Sequence, residues 1–130
     1  MAKKQLEFQL QKQICQYMNL QYKDVLYMSD SIAFCRLTIP QAVRNKSVQK
    51  ENFKCPDFIV FCPKGEYHGL FIELKASSPF KKDGTLYSSE HLQGQQNTIT
   101  QLLNLGYYAT FAFTFEQAKK IIDDYMNLTL

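Results

Sequence analysis

KCPDFIVF (residues 54–61), read together with FIELKAS (residues 71–77), decides the fold of this chain. Both are dense apolar runs of the kind that build strands covered on both faces, and Pro63-Lys64-Gly65-Glu66 between them supplies turn chemistry. They read as an antiparallel pair, with strands over 58–62 and 69–74. Their charges are out of keeping with that setting. The first run is entered through Asp57, and the second leaves through Glu73 and Lys75. A symmetric hairpin centred near Gly65 sets Cys62 opposite Gly69 and Asp57 opposite Leu74. Glu73 and Lys75 flank Leu74 and point to one face, because strand side chains alternate. Two carboxylates and an amine thus converge at one end of a buried hairpin.

Upstream, Leu6, Leu10, Ile14, Tyr17 and Met18 recur at helical steps, so residues 3 to about 20 form an amphipathic helix with Glu7 beside its apolar stripe. SIAFCRLTI (31–39) is rich in β-formers and stops at Pro40, which predicts a first strand. QAVRNKSVQKENFK (41–54) is polar and reads as a loop carrying Arg44, Lys46, Lys50 and Lys54. Downstream, ASSPFKKDGTLYSSE (76–90) is a loop holding Lys81 and Lys82. Ser88 or Ser89 caps a helix that runs to about Leu105 and ends with Gly106 at C′; Gly94 shifts its expected start toward Gln95. Its stripe is Leu92, Ile99 and Leu103, and Gln96 lies on it, a buried amide that needs partners. YYATFAF (107–113) is a fourth strand. Thr114 and Gln117 form a capping-box pattern for a last helix with Ala118, Ile121, Ile122 and Tyr125 inward. The order α-β-β-β-α-β-α, with a helical crossover between the last two strands, predicts an α/β fold with a mixed sheet flanked by helices.

At 130 residues, 45% hydrophobic and 21% charged, the chain is expected to be one domain over 1–130 with a packed core. No apolar run approaches the roughly 20 residues of a membrane span, and MAKKQLEFQL lacks the apolar stretch of a secretion signal. A cytoplasmic protein without membrane contact is expected. Cys15, Cys35, Cys55 and Cys62 contain no CxxC and read as small buried apolar residues. A net charge of +3 tolerates a nucleic-acid partner without requiring one.

Two carboxylates at the rim of an apolar sheet repel, and burial disfavours ionising either. A structural ion pair with Lys75 explains them weakly, since such pairs add little stability. A divalent cation explains them better: Mg²⁺ takes one or two carboxylates plus water and phosphate oxygens, and can acidify a water beside a phosphate.

Pro56-Asp57 followed by Glu73-Leu74-Lys75, with Glu7 on the first helix, Gln96 on the next and Gly106 before a strand, resembles the PD-(D/E)XK nuclease superfamily, and within it the virus-type replication-repair nuclease (VRR-NUC) family. The likeness runs over roughly residues 5 to 125; Cys55 stands where many relatives have Gly. It implies a restriction-endonuclease-like α-β-β-β-α-β core and a Mg²⁺- or Mn²⁺-dependent deoxyribonuclease. Asp57, Glu73 and the Leu74 backbone carbonyl would ligate the ion, and Lys75 would orient the attacking water or stabilise the charged phosphorane. Gln96 would position Lys75 or the water, and Glu7 would approach a second ion or its water. The resemblance further implies branched DNA as substrate, Holliday-junction resolution by a homodimer, and a phage or viral setting, hence host cytoplasm. Lys81, Lys82, Arg44, Lys46, Lys50 and Lys54 are candidate phosphate contacts. A DNA-binding module that no longer cuts, and a flap nuclease, exonuclease or RNase using the same site, remain alternatives.

Overall fold

The computed structural model describes residues 2–30 and 35–128. Its centre is the expected pair of strands, β2 (Phe58–Val60) and β3 (Leu70–Leu74), antiparallel with Phe58 opposite Ile72 and Val60 opposite Leu70. Both are buried along almost their whole length, as runs apolar on both faces require.

The register differs by one residue from a symmetric hairpin, and the turn shows why. Lys64 and Tyr67 exchange both backbone hydrogen bonds, so the tip itself sits where a hairpin centred near Gly65 puts it. Between tip and strands, however, the β2 side carries one residue more than the β3 side. Pro63 lies on that side and has no N–H to offer a ladder, so the extra residue is accommodated there as at a bulge. The Tyr125 hydroxyl donates to the Cys62 carbonyl at 2.6 Å and satisfies part of the broken ladder. The shift places Asp57 opposite Glu73 rather than Leu74. Gly69 is required here, because a Cβ on it would press to 3.1 Å from the Val60 carbonyl oxygen.

The sheet is completed by β1 (Tyr27–Ser29), antiparallel to β2, and β4 (Tyr108–Ala112), parallel to β3, in the order β1-β2-β3-β4. Helix α1 (Lys3–Gln21) and the C-terminal helix (Phe115–Asn127) cover one face. There Leu10, Ile14 and Met18 meet Phe58, Val60, Leu70, Ile72, Leu74, Ala118, Ile122 and Tyr125 in one core. The crossover helix (Glu90–Asn104) covers the other face, where Ile99 and Leu102 pack on Ala109 and Phe111. Ser89 caps that helix by accepting from the Leu92 N–H at 3.3 Å, so Gly94 does not delay its start. Gly106 ends it with φ +92°; a Cβ there would collide with the His68 ring at 2.8 Å. The C-terminal helix is capped by Thr114, which accepts from the Gln117 N–H at 3.1 Å.

The region 31–54 is where the sequence misleads. Residues 31–34 of the expected strand lie outside the described residues; 35–38 are not strand, and the strand next to β2 lies earlier, at β1. Instead of ending a strand, Pro40 sits in the first turn of α2 (Ile39–Ser47), a helix where a loop is expected. Thr38 and Gln41 form a full capping box: Thr38 Oγ1 accepts from the Gln41 N–H at 3.3 Å, and Gln41 Oε1 accepts from the Thr38 N–H at 2.9 Å. A proline in the first turn forfeits no helix hydrogen bond. Numbered in chain order, the crossover helix is α3 and the C-terminal helix α4.

The cysteines also depart from expectation. Cys15 and Cys62 are half-buried against the core, but Cys35 and Cys55 are exposed. No helix among the described residues is long and apolar enough to cross a membrane.

Candidate active site

Alternation along the strands divides the sheet's chemistry. On β3, Leu70, Ile72 and Leu74 face the α1/α4 core, while Phe71 and Glu73 face α3, and Lys75 continues that second row. On the neighbouring strand Phe58 and Val60 belong to the α1/α4 core, so Asp57 falls on the α3 side with Glu73 and Lys75.

Each side chain is held by its surroundings. Asp57 Oδ2 accepts from the Leu74 N–H at 3.0 Å, and its backbone carbonyl accepts from the Asp30 N–H at 2.9 Å. Glu73 is buried, with 7% of its surface exposed, and Oε1 accepts from Gln95 Nε2. The Lys75 ammonium donates to Gln95 Oε1 at 3.3 Å, and the Lys75 N–H donates to the Ala112 carbonyl at 2.9 Å, fixing the backbone against β4. One amide, Gln95, thus holds the acid with its nitrogen and the amine with its oxygen.

That amide is one residue away from the expected Gln96. Gln96 is only half-buried and donates to Thr100 Oγ1 at 3.3 Å on the outer side of α3. The inward row of α3 is Gln95, Thr98, Ile99 and Leu102. Two further groups were not singled out in the sequence. His91, one turn before Gln95 on α3, places Nε2 at 3.1 Å from Gln95 Nε2, and its Nδ1 accepts from Lys54 Nζ at 2.9 Å. Asp30, at the end of β1, lies close enough to Asp57 to disfavour its ionisation.

The electrostatics are those of an acid cluster short of positive charge. Burial pushes the Asp57 carboxyl up to about 6, and Glu7 and Asp30 add to it; the Leu74 N–H and Lys75 pull the other way without prevailing. Glu73 is pushed up to about 8, by burial first and then by Asp57 and Glu7, with Lys75 opposing. Glu7 is half-buried on α1, and its charge acts on both acids in the direction that disfavours their ionisation. Desolvation, then Lys54 and Lys75, hold His91 below its ordinary value, with Glu7 opposing.

A divalent cation suits this donor set. Glu73 is buried and Asp57 half-buried, the two are opposed and under-neutralised, and a 2+ charge between them would remove both the repulsion and the upward shifts. Among the described residues no three His, Cys, Asp or Glu side chains converge to hold an ion by themselves. Asp57 and Glu73 would therefore hold it with the Leu74 carbonyl, water and phosphate oxygens, the pattern Mg²⁺ favours.

The basic candidates scatter. Lys54 is tied to the site through His91. Arg44 and Lys46 lie on α2, none of whose residues is buried, and Lys50 follows it on the surface. Lys81 and Lys82 are exposed at the tip of a closed loop, where the Lys81 N–H donates to the Thr85 carbonyl at 2.7 Å and Gly84 turns with φ +88°.

No protein-family model matches the sequence, and no curated protein does. Among solved structures, a VRR_NUC domain protein superposes on 94% of this chain and 88% of its own, with a TM-score of 0.63 and 24% sequence identity. The chain has the fold of a VRR-NUC domain: a restriction-endonuclease-like α/β core with a mixed sheet between helices.

Proposed function

We propose that this chain is a metal-dependent nuclease of VRR-NUC type that hydrolyses phosphodiester bonds in DNA. The observation that carries the proposal is the pair of half-buried Asp57 and buried Glu73, opposed across β2 and β3, with Lys75 joined to Glu73 through Gln95. The fold shared with a VRR_NUC domain protein supports it. A bound Mg²⁺ or Mn²⁺ would supply charge neutralisation at the phosphate and an acidified water.

The chain's own residues do the rest. Asp57 is held in place by the Leu74 N–H and cannot swing away from the site. Lys75, held by Gln95 beside Glu73, presents an ammonium to the attacking water or to charge developing on the phosphate oxygens. Gln95 is a positioning residue: its amide spans acid and amine and fixes their spacing. Glu7 adds negative charge from α1 that both acids feel, which strengthens the cluster's pull on a cation.

The proposal extends to branched DNA cut by a two-fold homodimer, since symmetric incision of a four-way junction needs two sites. Lys81 and Lys82 serve as phosphate contacts. Their joint replacement by Ala should weaken DNA binding at low salt without regard to sequence; unchanged affinity would remove that loop from the interface. The test of the activity is a panel of linear, flapped, forked and four-way DNAs with Mg²⁺ or Mn²⁺. Cleavage should require metal and vanish in Asp57→Ala and Lys75→Ala. Cleavage retained by either variant would mean that the site lies elsewhere.

A further inference from the structure

Beside the acid pair, the structure opens a groove of about 730 Å³ that Lys75 helps to line. Its other walls are the N-terminus of α1, through Lys3, the loop 77–80 with Tyr87, and the start of α3, through Ser89 and His91. That volume lies in the range of small-molecule pockets, about 300–1,000 Å³, which is the scale of a nucleotide and not of a double helix.

The lining matches the same size of ligand. Tyr87 is 50% exposed and Phe80 38%, both on the groove. The loop that carries them is pre-formed. Phe80 bridges to Leu86, the Tyr87 N–H donates to the Pro79 carbonyl at 3.0 Å, and the Phe80 ring meets Phe111 edge-on at 5.9 Å. Aromatic faces held rigidly lose little entropy on contact. Lys3 and Lys75 supply charge for phosphates, and Ser89 a hydroxyl. Exposed aromatic rings between cations are what single-stranded nucleic acid uses, since each unpaired base offers a π-face and a duplex buries its own.

We infer that this groove binds an unpaired nucleotide of DNA next to the scissile phosphate, with its base on Tyr87 and its phosphate between Lys3 and Lys75. The inference rests on the nuclease reading and sharpens it. Among branched DNAs, those with a single-stranded nucleotide adjoining the cut, such as a fork or flap, gain a contact that fully paired DNA does not offer.

The experiment measures binding in EDTA, so that nothing is cut, using a forked duplex with a 2-aminopurine at the first unpaired position and a blunt duplex of equal paired length. The wild type should favour the fork and quench the 2-aminopurine. Tyr87→Ala should weaken fork binding about tenfold, within the range for one base–aromatic stack, and leave blunt-duplex binding unchanged. Tyr87→Phe should behave as the wild type. Equal affinity for both DNAs, equal loss on both in Tyr87→Ala, or tighter binding of the same fork made of RNA would overturn the inference. A Tyr87-dependent fork preference in a protein that cuts no DNA with Mg²⁺ or Mn²⁺ would uphold the groove and defeat the nuclease reading instead.

Discussion

Two acid clusters in this molecule have opposite fates. Asp123 on α4 accepts from the hydroxyls of Tyr17 on α1 and of Tyr22 just past its end, the latter at 2.7 Å, and from Lys119 Nζ at 3.0 Å. Burial raises its pKa, but the two hydroxyls and Lys119 outweigh that and hold it below the ordinary value. Asp57 and Glu73 have fewer donors, more burial and each other, and both are pushed up. Donors make the first cluster a structural pin that fastens α1 to α4. Their scarcity makes the second a site with unspent affinity for a cation.

The sharpest way to break this contrast is one substitution made in both places. Asp57→Asn should cut metal-dependent cleavage by on the order of 10²- to 10³-fold or more, as removal of a principal electrostatic group does, while leaving the protein folded. Asp123→Asn should leave cleavage per folded molecule unchanged in the same assay. Equal losses in both would erase the distinction.

Next in size is the amide. Gln95→Leu should lower cleavage roughly 10- to 100-fold, the cost usual for groups that orient metal ligands, and Gln96→Leu should stay near wild type. The reverse ranking in steady-state kinetics would restore Gln96 to the site.

Stability comes third. Asp123→Asn should cost about 1–3 kcal/mol in urea unfolding, because two hydroxyls and an ammonium lose a charged acceptor. Tyr17→Phe should show part of the same loss, and an unchanged midpoint in both would mean that the pin holds nothing.

The smallest effect concerns pH. Glu73 has a raised pKa in the folded state, so the folded metal-free protein binds more protons than the unfolded chain between the ordinary carboxyl range and about 8. Its contribution to stability is therefore present at acid pH and is lost as pH rises through that window; Asp57 adds a smaller loss that ends near 6. Glu73→Gln removes that dependence. Relative to wild type without metal, its melting temperature should be higher at pH 8 than at pH 5. A difference that does not move with pH would mean that Glu73 ionises freely.

Much of this was legible in the sequence, for physical reasons that can be located. Strands apolar on both faces leave no alternative to a covered sheet, so 58–62 and 69–74 stood out with their terminal charges, and the observed strands are Phe58–Val60 and Leu70–Leu74. The Thr114 cap announced the start of α4, while on α3 the choice between Ser88 and Ser89, and the doubt cast by Gly94, was settled only by the Ser89 cap. The errors come from signals that compete. The β-formers before Pro40 masked the Thr38–Gln41 capping box, which reverses what the proline means. On α3, Leu92 and Ile99 are common to two stripes, one through Gln95 and Leu102, the other through Gln96 and Leu103. Only packing tells them apart: Leu102 is 7% exposed and Leu103 43%. His91 continues the Gln95–Leu102 row and was passed over with it, whereas Asp30 belongs to no periodic pattern and nears the acids only once β1 is folded against β2.

The central claim is that Asp57 and Glu73 together form a cation site beside Lys75. Calorimetric titration of Mn²⁺ into the metal-free protein at pH 7 tests it most directly. The wild type should bind Mn²⁺ with release of protons from the raised carboxyls, and Asp57→Asn combined with Glu73→Gln should abolish the binding. Undiminished Mn²⁺ binding by the folded double variant would contradict the account.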